Sequence, residues 1–306
     1  MSIGTAMAKR DDTIGGLRGE RRRDEPMSRH TSWRVGGAAR AFYLPADIDD
    51  LSMFLRGLPA DEPLLWLGLG SNLLVRDGGF AGTVIHTRSL ATEIEITGSD
   101  AVHAGAGATN AKIARFCARR GLSGAEFLAG IPGTLGGALA MNAGAFGSET
   151  WEIVGAVQTI DRRGTVRRRL PAEFDVSYRT VKGHVGEWFV AADLVLATGD
   201  PAASRARIRE LLNRRGASQP INMPNAGSVF RNPPGDHAAR LIETAGLKGL
   251  RIGGARVSTR HANFIVNEGN ATASDIEQLI ERVRRTVAEA HGVALQAEVH
   301  IVGDPA

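Results

Sequence analysis

GIPGTLGGALAMNAGAFG, residues 130–147, is the stretch that most limits what this chain can become. Six of its 18 residues are glycine and four are alanine. A helix interior loses roughly 1 kcal/mol for each Gly in place of Ala. The segment is therefore a poor helix unless close backbone approach repays the cost. Backbone amides around Thr134 to Gly137 would then be placed to point at a pyrophosphate. Tight packing between chain segments is the other reading.

A second glycine-rich loop, GLGSNLLVRDGGF, spans residues 68–80. No Gly-Lys-Ser/Thr follows, so it is not a Walker loop. Leu73 stands where a dinucleotide fingerprint needs a third glycine. Leu73, Leu74 and Val75 instead lead into Arg-Asp-Gly-Gly, a short extended run stopped by a turn. Taken alone, the loop reads as a tight hairpin. Two such loops on one molecule favour a large ligand touching both, such as a dinucleotide or a flavin.

The rest of the composition narrows the class. At 306 residues the chain has room for two or three domains and a large core. Aromatic residues make up only 5% of it, which argues against a stacking platform for single-stranded nucleic acid. The formal charge is +4, with arginines clustered at 21–23, 162–163, 167–169 and 214–215. These runs read as solvated faces whose field attracts anionic small molecules. Cys117 is the one cysteine. It permits no intrachain disulfide and no thiolate cage, so a packed thiol in a reduced, cytoplasmic compartment is expected. The histidines show no zinc spacing, and no metal is expected. No apolar run has signal-peptide or membrane-spanning length.

Periodicity divides the chain. Residues 1–24 read as a mobile arm. Residues 25–90 read as a small α/β unit, with Asp47 capping a helix through Leu51, Phe54 and Leu55. Residues 91–199 form a second unit with hairpins at Gly98-Ser99-Asp100 and Arg163-Gly164, and with a helix after Thr109. Residues 200–295 form a third, opened by a helix at 202–215 and containing a long amphipathic helix from Ala273 to Ala290. The terminal LQAEVHIVGD, within 296–306, reads as a strand returning to the first unit.

Three dispersed segments carry candidate chemistry. Arg179, in SYR, alone would be a surface ion pair. Ser228, in NAGSVFRNPPG, alone would be a cap, and no nucleophile elbow surrounds it. Glu298, in AEVHIV, alternates with Val299, so it faces away from that residue. A carboxylate on an interior face needs a reason.

In order along the chain, HTSWRVGG, GLGSNLLV, GIPGTLGGALAMNAGAFG, SYR, NAGSVFRNP, HANFIVN and LQAEV resemble the UDP-N-acetylenolpyruvoylglucosamine reductase family. The match runs from Leu17 onward and looks like the shorter subtype, without the insertion that carries a substrate-covering Tyr loop. It implies an α/β (α+β) fold: a two-part FAD-binding module, 25–90 with 296–306 and 91–199, plus a separate α/β substrate-binding domain at 200–295. It implies a cytoplasmic flavoenzyme of peptidoglycan precursor synthesis, in which NADPH reduces FAD and UDP-N-acetylglucosamine enolpyruvate then takes the hydride. A monomer is expected, with no nucleic-acid or membrane partner.

The resemblance also assigns residues. Ser228 matches the proton donor, and Arg179 and Glu298 match the residues that stabilise the charged intermediate. FAD would be held by Gly68, Leu69, Gly70, Ser71, Asn72 and Leu73. It would also be held by Gly130, Ile131, Pro132, Gly133, Thr134, Gly136, Gly137, Asn142 and Gly144, with His30 and Thr31 near the flavin. Asn232, Tyr178 and Arg214 would contact substrate. Many relatives carry Lys where this chain has Ser218, and Arg214 or Arg215 is the expected replacement. Two competing readings are an FAD-dependent oxidase of the same superfamily and a non-catalytic nucleotide or nucleic-acid binder.

Overall fold

The computed structural model describes residues 16–306. Residues 1–15 of the expected arm lie outside the described residues. The arm ends earlier than residue 24, because Glu20–Pro26 is a strand paired antiparallel with Ala38–Leu44. Arg22 forms ion pairs with Glu20 and Glu25, and this lets a run of like charge sit in an ordered sheet.

The first sheet has the order Glu20–Pro26, Ala38–Leu44, Phe80–His86, Leu64–Leu67, and its last three strands are parallel. Helix α1 (Ile48–Arg56) makes the crossover. Asp47 caps it as expected, accepting from the Asp50 amide at 2.9 Å. Leu51, Phe54 and Leu55 are its buried face.

The second sheet is antiparallel, in the order Val166–Arg169, Val154–Asp161, Glu187–Val195, Ala101–Gly105, Ile94–Ile96. The two hairpins fall where the turn residues put them. Gly164 has φ +68°, and a Cβ there would lie 2.4 Å from the Ser52 carbonyl oxygen. Only glycine suits that turn. Helix α2 (Asn110–Arg119) follows Thr109, whose side chain makes no capping bond. It buries Cys117, and burial pushes that thiol up to about 12, so it is an unreactive packing group.

Helix α3 (Leu135–Ala140) forms inside the glycine-dense segment, against the expectation of a poor helix. Close approach is the reason at Gly136, where a Cβ would lie 3.0 Å from the Ala106 Cβ. Leu135 and Gly136 donate their amides to the Ala108 and Ala106 carbonyls, both at 2.9 Å. Two of the amides expected to face a pyrophosphate are therefore already used.

Helix α4 (Pro201–Ser218) starts at Asp200, which accepts from the Ala202 and Ala203 amides. It was expected to open the third unit, yet it packs on the second. Ser204, Ile208 and Leu211 are its buried stripe. Ile208 joins the core around Ile113 and Cys117, and the Ser204 hydroxyl donates to Glu126. Gly199-Asp200-Pro201 marks a helix cap, not a change of packing partner.

Helices α5 (Ala238–Thr244) and α6 (Ala273–His291) pack with a small sheet of Arg251–Ile252, Ala255–Val257 and Ile265–Asn267. Ile276, Leu279, Ile280, Val283 and Val287 of α6 fill this core. Trp33 and Leu74 reach into it from the N-terminal half. Trp33 is fully buried; its indole N–H donates to the Ile265 carbonyl at 2.8 Å, and its own carbonyl accepts from Asn267 Nδ2 at 2.9 Å. The last strand, His300–Val302, pairs in parallel with Leu73–Val75, which stands outside the first sheet. The whole is the expected mixed α/β fold. No helix among the described residues is long and apolar enough to cross a membrane.

Trp33 therefore joins the two halves. Trp33→Ala is expected to cost about 3–5 kcal/mol, and Trp33→Phe, which keeps most of the ring but loses the indole bond, about 1–2 kcal/mol. Denaturant unfolding of the full chain measures both; a Trp33→Phe cost near zero would show that the hydrogen bond contributes nothing.

Candidate active site

The two glycine loops meet. Gly70 has φ +61°, and a Cβ on it would lie 2.0 Å from the His30 carbonyl oxygen. A Cβ on Gly68 would lie 2.5 Å from Thr134 Oγ1, and one on Gly133 would lie 2.9 Å from Ser71 Oγ. Ser71 donates its hydroxyl to the Pro132 carbonyl at 3.1 Å. Between the loops and the C-terminal unit opens a cleft of about 590 Å³. A smaller cavity of about 280 Å³ shares its wall at Gly68, Gly137 and Ala140 and runs on towards His184 and Trp188.

Gly68 to Leu73, Gly130 to Thr134, Gly137 and Gly144 line the cleft. Gly136 lines the smaller cavity instead. The amides of Leu69, Gly70, Ser71 and Asn72 donate to no other described residue. Four N–H groups without a protein acceptor on one loop that lines the cleft are donors available to an anion. Gly137 has open space where a Cβ would be, although it sits in a helix. A helical glycine that packs against nothing leaves room for something else. These features fit an extended dinucleotide with a pyrophosphate at its centre.

Arg179, Ser228 and Glu298 line the same cleft, brought from three distant parts of the chain. Arg179 occupies a two-residue hairpin turn between Asp175–Ser177 and Thr180–Lys182, with φ +54°. A non-glycine residue there costs on the order of 1 kcal/mol. Its guanidinium is held on three sides. Nε donates to Glu298 Oε1 at 3.0 Å, Nη2 to the Gly144 carbonyl at 3.0 Å and Nη1 to the Asn142 carbonyl at 3.3 Å. Burial pushes the Glu298 carboxyl above the usual carboxylate range, against the pull of Arg179 and Arg231. The Glu298 main chain is tied at both ends, its amide to the Val229 carbonyl at 2.7 Å and its carbonyl to Asn72 Nδ2 at 3.2 Å. Val299 turns into the C-terminal core. The Ser228 hydroxyl makes no hydrogen bond to another described residue.

Several residues expected at the cofactor or substrate do not line the cleft. His30 and Thr31 pack against Gly70. The His30 ring stacks on Phe42 at 4.4 Å and bonds Glu25 at 2.7 Å, and the Thr31 hydroxyl donates to the Val35 carbonyl at 2.8 Å. His86, beside them, is held down to about 4 by burial and is neutral. Asn142 is a brace: its amide donates to Glu149 at 2.6 Å and to the Ser177 carbonyl at 3.3 Å. Tyr178 and Asn232 lie outside the cleft wall and pair with each other, the Asn232 amide donating to the Tyr178 hydroxyl at 3.5 Å. Asn232 Oδ1 also accepts from the Ala238 amide at the start of α5. Arg214 is exposed and sits over the Phe146 ring at 5.7 Å.

Arg215, not Arg214, lines the cleft. Its Nε donates to Gln219 Oε1 at 3.0 Å, and burial alone lowers its pKa, so no carboxylate offsets its charge. His300, Gln219, Met141 and Phe264 also line the cleft and went unread in the sequence. His300 was recoverable, because it lies two residues beyond Glu298 on an extended segment and so shares its face. No group of three His, Cys, Asp or Glu among the described residues is placed to hold a metal ion.

Two protein families match the sequence. An FAD binding domain matches residues 39–169, and the C-terminal domain of UDP-N-acetylenolpyruvoylglucosamine reductase matches residues 219–302. The chain is 62% identical over 286 residues to the UDP-N-acetylenolpyruvoylglucosamine reductase of Alkalilimnicola ehrlichii, covering 94% of this chain and 96% of that one. The reductase of Methylococcus capsulatus is 62% identical over 280 residues, covering 92% of each. The crystal structure of UDP-N-acetylenolpyruvylglucosamine reductase from Thermus caldophilus superposes with a TM-score of 0.80 at 34% identity, covering 93% of this chain and 99% of that one.

Gly137 gives a test of the cofactor's path. Gly137→Ala should stabilise the flavin-free protein by up to about 1 kcal/mol, since Ala is the better helix former and meets no neighbour. The same change should weaken FAD binding. Thermal melts without flavin and a flavin titration measure the two; unchanged FAD affinity would mean the cofactor does not pass over α3.

Proposed function

The chain belongs to the UDP-N-acetylenolpyruvoylglucosamine reductase family, and on that premise we propose that it reduces UDP-N-acetylglucosamine enolpyruvate to UDP-N-acetylmuramate with electrons from NADPH. It is an FAD-dependent oxidoreductase of peptidoglycan precursor synthesis. The family membership sets aside the oxidase and the non-catalytic binder. FAD, when bound, would supply a two-electron carrier between NADPH and the vinyl group of the enolpyruvyl ether. The observation that carries the reading is the convergence of Ser228, Arg179 and Glu298 on the cleft that the free loop amides line.

The amides of Leu69 to Asn72 would hold the cofactor's pyrophosphate, and the open space at Gly137 would leave room for the rest of it. Arriving hydride leaves negative charge on the neighbouring substrate carbon, spread into the carboxylate. A guanidinium has five N–H groups, and Arg179 commits three of them to the protein. One N–H remains on each terminal nitrogen to meet a carboxylate, with Glu149 Oε1 standing 3.9 Å from Nη1. The three protein bonds fix the guanidinium before substrate arrives, so no reorganisation is needed as charge develops.

Glu298 keeps its proton to higher pH than an exposed glutamate would. A substrate carboxylate beside it raises its affinity for that proton further. In the neutral form it stabilises the developing charge; ionised, it repels it. Ser228 supplies the proton. Its hydroxyl is unengaged within the protein, and a weak acid suffices against an enolate-like carbanion. Arg215 takes the substrate diphosphate, in place of the Lys that relatives carry at Ser218. Asn232 Oδ1 already caps α5, so Nδ2 is the part left for the nucleotide end. NADPH uses the same cleft and leaves before substrate enters.

The purified protein should show a flavin spectrum that bleaches with NADPH and recovers on adding the enolpyruvyl substrate. Recovery without that substrate, at the same rate in air, would reject the assignment. Ser228→Ala should leave flavin reduction by NADPH within about twofold and slow the second half-reaction by roughly 10²- to 10⁴-fold. Equal losses in both halves would remove Ser228 as donor. Because neutral Glu298 is the active form, the wild-type second half-reaction should fall as pH rises through its elevated pKa. Glu298→Gln should be slower but flat across that range. A variant that keeps the wild-type pH profile would assign the titration to another group.

A further inference from the structure

We propose that Asn263 is a positioning residue for proton delivery, its side chain fixing the backbone that aims Ser228. The inference rests on Ser228 as the donor. Since the Ser228 hydroxyl has no hydrogen-bond partner among the described residues, its direction is set by the main chain alone. That main chain leaves Gly227 at φ +74° and enters residues 229–231. Asn263 holds these residues from one side. It is 4% exposed. Its main-chain carbonyl accepts from the Val229 amide at 2.9 Å, its Oδ1 accepts from the Phe230 amide at 2.9 Å, and its Nδ2 donates to the Phe230 carbonyl at 2.8 Å. The side-chain amide thus serves as an extra peptide unit, closing a two-bond ring with Phe230.

The strand that carries Glu298 holds the same residues from the other side. Glu298 donates its amide to the Val229 carbonyl at 2.7 Å, and Arg231 donates to the Gln296 carbonyl at 2.9 Å. The segment after Ser228 is therefore clamped between Asn263 and residues 296–298, and the clamp sets the spacing of hydroxyl and carboxyl. Without the Asn263 amide, Phe230 has a buried N–H and C=O with no partner, which the chain relieves by rotating. A small rotation there swings Ser228. Misplacement of a reacting group by about 1 Å can cost 10²-fold in rate.

The test uses the full-length, FAD-loaded protein in rapid mixing. Asn263→Ala should leave the flavin spectrum and the NADPH half-reaction within about twofold, and should slow reoxidation by the enolpyruvyl substrate roughly 10- to 100-fold. The double variant Ser228→Ala/Asn263→Ala should be no slower than Ser228→Ala alone, because a misaimed donor and an absent donor fail in the same way. Asn263→Ser, which keeps one hydroxyl for the pair of bonds, should fall between wild type and Asn263→Ala, and it reads the same split if the alanine variant does not fold. Losses that are equal in both half-reactions, or that add to that of Ser228→Ala, would make Asn263 a fold residue only and overturn the proposal. Should Ser228→Ala itself leave the second half-reaction intact, the donor assignment fails first. If Ser228→Ala is slow and both Asn263 variants are fast, the positioning role alone fails.

Discussion

Leu73 and His300 come from distant parts of the chain and pair as neighbours in one short parallel ladder. The chemistry is organised around that pairing. It lays the segment bearing Glu298 beside the phosphate loop, where Asn72 takes the Glu298 carbonyl. It also carries that segment along Val229, so that the residue after Ser228 is held by the same main chain. Remove the ladder and the loop remains, but no carboxyl stands next to it. A parallel pair needs a crossover connection; here the connection runs from Arg76 to Val299 and holds the whole second sheet and the C-terminal core.

The approach of the loops themselves obeys a harder constraint. At Gly70 a Cβ would overlap the His30 carbonyl outright, and at Gly68 it would overlap Thr134. Glycine is required for the backbone to pass at all. Gly137 is different in kind: nothing touches the place where its side chain would be. The first two glycines bring protein to protein. The third leaves part of the cleft wall open.

The buried pair of Arg179 and Glu298 is poorly explained by stability. Taking two charges out of water offsets most of their attraction, and Arg179 also sits in a left-handed turn. A hydrophobic pair would hold this corner of the fold at less cost. What the pair provides is a guanidinium held in place and a carboxyl whose proton affinity burial raises, both facing the cleft. That is a local sacrifice of stability for preorganisation. Ser228 follows the same logic from the other direction, with its hydroxyl left free and its aim delegated to the residues that follow it.

Much of this was legible in the chain. Asp47 before an amphipathic run, glycine at two hairpins, and the apolar spacing of Ile276, Leu279, Ile280, Val283 and Val287 are local signals. The elements they announce form because 3.6- and 2-residue periodicity leaves few alternatives. The dense glycines announced close approach and a ligand. What they left open was which atom meets which. Gly136 turned out to serve Ala106, and His30 and Thr31 pack against Gly70, because their side chains found buried partners within the protein. The packing of α4 on the second unit, the choice of Arg215 over Arg214, and the meeting of Arg179, Ser228 and Glu298 were decided only in three dimensions. The physical reason is that the sequence fixes each residue's local geometry and polarity. Which distant residues become neighbours depends on how separate cores and one returning strand settle against each other, and those contacts leave no periodic trace along the chain.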